Sequence, residues 1–115
     1  MSAGLQQALG RLAALPGVRA ALAATASDGM PAATVAAVDV DADALAAFAT
    51  ALFQRTRLAN SAAGYGDTHH LALDAEHGRL FVAMQDDLAI IVLAEPTAAA
   101  GLVRVALQRA VREAA

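Results

Sequence analysis

Residues 69–94 read HHLALDAEHGRLFVAMQDDLAIIVLA, and this stretch decides the fold class. It contains three short apolar runs, His69–Leu73, Leu80–Met84 and Leu88–Ala94, separated by Asp74–Arg79 with Gly78 and by Gln85-Asp86-Asp87. Runs of this length bounded by turn residues are strands, and connections this short make antiparallel hairpins. The three strands therefore form a meander. The run LAIIVLA is continuously apolar and rich in β-branched residues, as expected of a strand covered on both faces.

Outward from this meander the pattern changes period. Upstream, Leu45, Phe48, Ala49, Leu52, Thr56 and Ala59 recur at helical spacing, which predicts a helix over about 42–60 with that face inward. Asp39, Asp41 and Asp43 precede it or open it, where carboxylates complement the helix dipole and its free amides. The opposite side carries Asp43, Ala47, Thr50, Ala51, Gln54 and Leu58, small and apolar for a solvent face. A face of this kind permits close approach of a second helix; an alanine-rich helix left in water fits the composition equally well. Downstream, Glu95-Pro96-Thr97 opens a last helix to about Arg112, with Thr97 as cap and Val103, Ala106, Leu107, Ala110 and Val111 inward.

At the start of the chain, Leu5, Ala8, Leu9, Leu12 and Leu15 lie on one face of a helix at about 3–15, with Ser2 as cap and Pro16-Gly17 as stop. Residues 18–26 and 31–38 form two strands joined by Ser27-Asp28-Gly29. Alanine favours helix over strand, but the short lengths and flanking turns decide for strands here. The order is α-β-β-α-β-β-β-α. An α+β fold follows: a five-stranded antiparallel sheet with three helices to cover it, in a single domain spanning 1–115.

Composition limits the function. Of 115 residues, 34 are alanine; 58% are hydrophobic but only 3% aromatic. Eight arginines against eleven acids leave a net charge of −3, with the arginines scattered, so no phosphate-binding stripe is expected and no nucleic acid. There is no cysteine, hence no disulfide and no thiolate metal site. No apolar run approaches the ~20 residues of a spanning helix. Gln6, Gln7 and Arg11 interrupt the region where a signal peptide needs an apolar core, so a cytoplasmic protein without membrane insertion is expected.

Candidate chemistry is sparse. His69 and His70 are neighbours on a strand and face opposite ways, so they do not share an ion; His77 in the next turn adds no complete ligand set. Asp39-x-Asp41-x-Asp43 begins like a calcium loop but lacks glycine at its sixth position, and its twelfth is Thr50 rather than glutamate. Asp86 and Asp87 read as a hairpin tip in water, Asp28-Gly29 as a turn, and Tyr65 as a loop residue packed on the sheet edge. With no nucleophile and base at useful spacing, no enzyme, cofactor or metal is expected.

LPGVRAALAATASDGMP, ALAAFATAL, HGRLFVAM, DLAIIVLA and AAAGLVRVALQRA, in this order, resemble the Roadblock family, the dynein light-chain roadblock type that includes bacterial MglB-like proteins. The likeness runs from about Leu5 to Val111. It implies the long central helix on one face of the sheet and the first and last helices on the other. It also implies a homodimer with central helices side by side and sheets joined edge to edge. Here that interface would use Ala47, Ala51, Gln54 and Leu58 with His69, Leu71 and Leu73. Bacterial relatives bind small Ras-like GTPases and regulate their nucleotide cycle, which would place a partner on Thr50, Phe53, Gln54, Arg57 and Leu58. A scaffold subunit bridging larger proteins, such as a sensor kinase or motor-type complex, is the alternative the same resemblance allows. The chain departs from better-known members in staying close to the minimal domain and in its alanine content.

Overall fold

The computed structural model describes residues 3–114; the expected cap Ser2 lies outside them. The elements are α1 (Ala3–Ala13), β1 (Val18–Thr25), β2 (Met30–Ala36), α2 (Ala42–Ala62), β3 (His70–Ala75), β4 (Gly78–Gln85), β5 (Leu88–Ala94) and α3 (Ala100–Ala114). The strands form one sheet in the order β2-β1-β5-β4-β3, antiparallel throughout. Central β1 and β5 are buried along most of their length, as the apolar run of β5 requires.

Two layers cover the sheet. On one face α1 contributes Leu5, Leu9 and Leu12, and α3 contributes Val103, Leu107 and Val111, over Phe81, Ile90 and Val92. On the other face α2 lays Ala46, Ala49 and Phe53 on Leu22, Leu80, Val82 and Ile91. The expected division of helices between the faces is observed.

Several boundaries differ from expectation, each for a local reason. The first helix stops at Ala13 rather than 15, and turns through Leu15 bring the chain to Gly17. Gly17 has φ +83°, a conformation that other residues adopt only with strain, and a Cβ there would crowd that of Ala98 at 3.0 Å. The last helix begins at Ala100, and Thr97 is not its cap. Residues 95–98 instead form a turn closed by Ala98 N–H donating to the Glu95 carbonyl, and the Ala98 carbonyl accepts from Arg79 Nη1 at 3.0 Å. The third strand begins at His70, leaving His69 outside it.

The three acids around the start of α2 divide their tasks. Asp41 caps the helix, accepting from the Ala44 amide at 3.1 Å, and Asp43 lies in the first turn. Asp39 pairs with Arg19 of β1, and that hydrogen bond holds its carboxyl below the usual carboxylate range. Asp87 is not simply a charge in water. Its carboxylate accepts from the Ser27 amide at 2.9 Å and the Ser27 hydroxyl at 3.0 Å, clipping the β4–β5 turn to the β1–β2 turn. The β1–β5 pairing that puts these turns side by side is non-local and carries no mark in the sequence.

Candidate interaction surface

The inner face of α2 is not the one the leucines suggest. Ala46, Ala49, Thr50 and Phe53 are buried, a spacing of i, i+3, i+4, i+7, whereas Leu45, Leu52 and Thr56 are half-buried and Phe48 is 54% exposed. The helix is therefore turned by about one residue from expectation. Alanine explains this: Ala46 and Ala49 let the backbone sit close to the sheet, and Phe53 fills the space beyond them. Thr50 tolerates burial because its hydroxyl donates to the Ala46 carbonyl at 2.8 Å. The i, i+3, i+4, i+7 set anchored on Phe53 was the available signal.

This rotation corrects two expected contact residues. Thr50 is 4% exposed and Phe53 fully buried, so in the folded chain neither offers a surface to a partner. Ala47, Ala51, Arg57 and Leu58 are exposed, and Gln54 is half-buried. Arg57 reaches back toward Gln54 Oε1 at 3.4 Å and Met84 Sδ at 3.8 Å.

A continuous outward seam results. Ala44, Phe48, Ala51, Arg55, Leu58 and Ala62 alternate at spacings of four and three, and all six are exposed. That is the period of helices that pair along their length, with small residues admitting close approach and Phe48 and Leu58 as knobs. Beside the N-terminal half of the seam, Leu45 and Phe48 border an apolar cleft of about 410 Å³ whose far wall includes Leu73, Leu80 and Leu93. Leu71 and Leu73 of edge strand β3 face the α2 side, Leu71 half-buried and Leu73 39% exposed. The outer edge of β3 has no neighbouring strand within the described chain, leaving backbone groups available for pairing.

Of the remaining sequence candidates, His77 lines the cleft beside Leu73 and His69 adjoins the β3 edge. His69 is exposed just before β3, and exposed His77 sits 3.1 Å from Glu76. Among the described residues no three histidine or acidic side chains converge as a metal site. Tyr65 is 82% exposed rather than packed on the sheet edge, in the loop that follows the end of α2 at Ala62. Among the described residues no helix is long and apolar enough to cross a membrane.

His70 faces the α1/α3 layer with its ring centroid 6.4 Å from that of Phe81, and its buried Nε2 has no hydrogen-bond partner among the described residues. Burial first, and the Arg104 charge second, push its pKa below 6.5. In the window between that lowered value and 6.5 the unfolded chain binds more protons than the folded one, so stability rises with pH. Urea midpoints at about pH 5 and about pH 7.5 should show the fold weaker at the lower pH. The His70→Phe variant should show a smaller difference between the two; an equal difference would contradict this assignment.

A family model described as the Roadblock/LC7 domain matches residues 5–95. The chain belongs to the Roadblock/LC7 family. Solved structures agree with this fold. A Roadblock/LC7 domain from Streptomyces avermitilis is 22% identical with a TM-score of 0.83, over 92% of this chain and 90% of that one. Myxococcus xanthus MglB is 13% identical with a TM-score of 0.86, over 97% and 92%. The gliding protein mglB from Thermus thermophilus is 19% identical with a TM-score of 0.84, over 98% and 89%. No curated protein matches the sequence. Identities this low establish a shared Roadblock/LC7 architecture, and the surface residues of this chain have to be read on their own chemistry.

Proposed function

We propose that this Roadblock/LC7 protein is a non-enzymatic homodimeric regulator that binds a small Ras-like GTPase and modulates its nucleotide cycle. The observation that carries the proposal is the exposed seam on α2, continuous with the cleft beside β3. Phe48 and Leu58 are 54% and 72% exposed, which a second copy would relieve by laying its own α2 alongside. The edge of β3 would then pair with its counterpart, giving His69, Leu71 and Leu73 a place at the boundary.

Pairing of this kind makes a two-helix platform from surfaces that are bare in one chain. Its upper side would present Gln54, Arg57 and Leu58, with Arg55 among them. Arginine suits a nucleotide-binding partner because its planar fork holds carboxylate or phosphate oxygens in pairs. The chain would act by biasing the conformation of the GTPase, leaving hydrolysis to the GTPase's own residues.

The test uses a Ras-like GTPase encoded beside this chain, loaded in turn with GDP and with a non-hydrolysable GTP analogue. A complex that forms preferentially in one nucleotide state is the expected result. Absence of binding in both states would overturn the GTPase assignment while leaving the dimer intact, and recovery of other partners without a GTPase would support the scaffold reading instead.

A further inference from the structure

The sheet face opposite α2 carries a second surface that the GTPase proposal does not use. A helix covering a sheet needs one apolar stripe, and α3 supplies it with Val103, Leu107, Ala110 and Val111. Yet α3 has further apolar residues pointing outward: Leu102 is 51% exposed and Val105 60%. With Leu12 and Leu15 they line an apolar groove of about 330 Å³ between α1 and α3, flanked by Arg11 and Arg109.

Charge is segregated between this layer and the rest of the molecule. Helices α1 and α3 carry Arg11, Arg104, Arg109 and Arg112 against the single acid Glu113, a net of +3, although the whole chain is at −3. Arg11 is paired with Glu113 at 2.5 Å, whereas Arg109 has neither hydrogen bond nor ion pair among the described residues. An apolar floor beside an unneutralised arginine, on an otherwise acidic protein, is complementary to apolar side chains flanked by carboxylates.

We infer that the α1/α3 groove docks an acidic amphipathic helix of another protein, leucine-type side chains in the groove and a glutamate or aspartate on Arg109. A trough between two helices accepts the side-chain ridge of a third, with anchors at i, i+3 or i+4, and i+7. A second copy of this chain fits poorly, since the exposed seam of its α2 contains Arg55 with Arg57 near it, and the one acid of that helix, Asp43, lies at its far end. An anionic bilayer fits poorly as well, because a broad flat surface does not reach into a concave trough.

The probe is a synthetic amphipathic peptide of about 18 residues, with leucines at i, i+4, i+7 and i+11 and glutamates beside them, compared with a twin carrying lysines instead. Titrated into the full-length isotope-labelled protein, the glutamate peptide should shift amide signals of α1 and α3 and bind about tenfold more tightly than its twin. The double variant Leu102→Glu, Val105→Glu should lose binding while keeping a dispersed spectrum and unchanged solution mass, since both positions are exposed. Arg109→Glu should remove or invert the preference between the two peptides. Equal binding of both peptides, or shifts confined to α2 and β3, would overturn the inference. So would binding to phosphatidylserine vesicles with no peptide binding, or a fall in solution mass in the double variant.

Discussion

Phe53→Ala is expected to cost about 3–5 kcal/mol, a large part of the ~5–15 kcal/mol that holds a domain of this size together. Phe53 is fully buried between α2 and the sheet, in a cluster that includes the alanines Ala24, Ala46, Ala49 and Ala89. Alanine has no side chain with which to follow a lost neighbour, so the cavity stays open and the loss falls toward the upper end of the range. Urea unfolding of the variant beside Asp67→Ala, a change at an exposed loop position, measures it. A midpoint shift equivalent to less than about 1 kcal/mol would mean that Phe53 does not fill the core in this way.

The second large effect concerns assembly rather than folding. Phe48→Glu together with Leu58→Glu should halve the solution mass while leaving the protomer folded. Both side chains are more than half exposed in the single chain, so their replacement should change its own stability by no more than about 0.5 kcal/mol. Across paired α2 helices the same changes would remove two apolar anchors per chain and set like charges against each other. Size-exclusion chromatography with light scattering, read beside the circular dichroism of the variant, separates lost pairing from lost folding. A variant that keeps the wild-type mass would place the dimer contact elsewhere.

Legibility of the fold follows the contrast between residue types. β5 is plain because Leu88–Ala94 is uniformly apolar, and its observed limits equal the expected ones. α1 and α3 are plain because leucines and valines stand against glutamine and arginine at helical spacing. α2 is legible as a helix, but its inner face is not, since alanines occupy all sides and Leu45 and Phe48 outweigh Phe53 in the pattern. The consequence falls on the candidate site: Thr50 and Phe53, expected at a partner, are in the core, and Phe48, expected in the core, stands at the seam. The Asp87–Ser27 clip and the Arg79–Ala98 bond depend on strands and turns distant in sequence, and only the folded chain brings them together.

The groove between α1 and α3 is hidden for a different reason. Leu102 and Val105 lie outside the inward face read for the last helix, and only the folded chain shows that they line a groove with α1. The charge difference between that layer and the rest of the molecule likewise depends on which elements share a face.

The dimer is the point on which the account of α2 turns, and sedimentation equilibrium of the unmodified chain at micromolar concentration tests it most directly. A mass about twice the 11.6 kDa of one chain is the expected result. A mass of one chain, with Phe48 and Leu58 left in water, would contradict it.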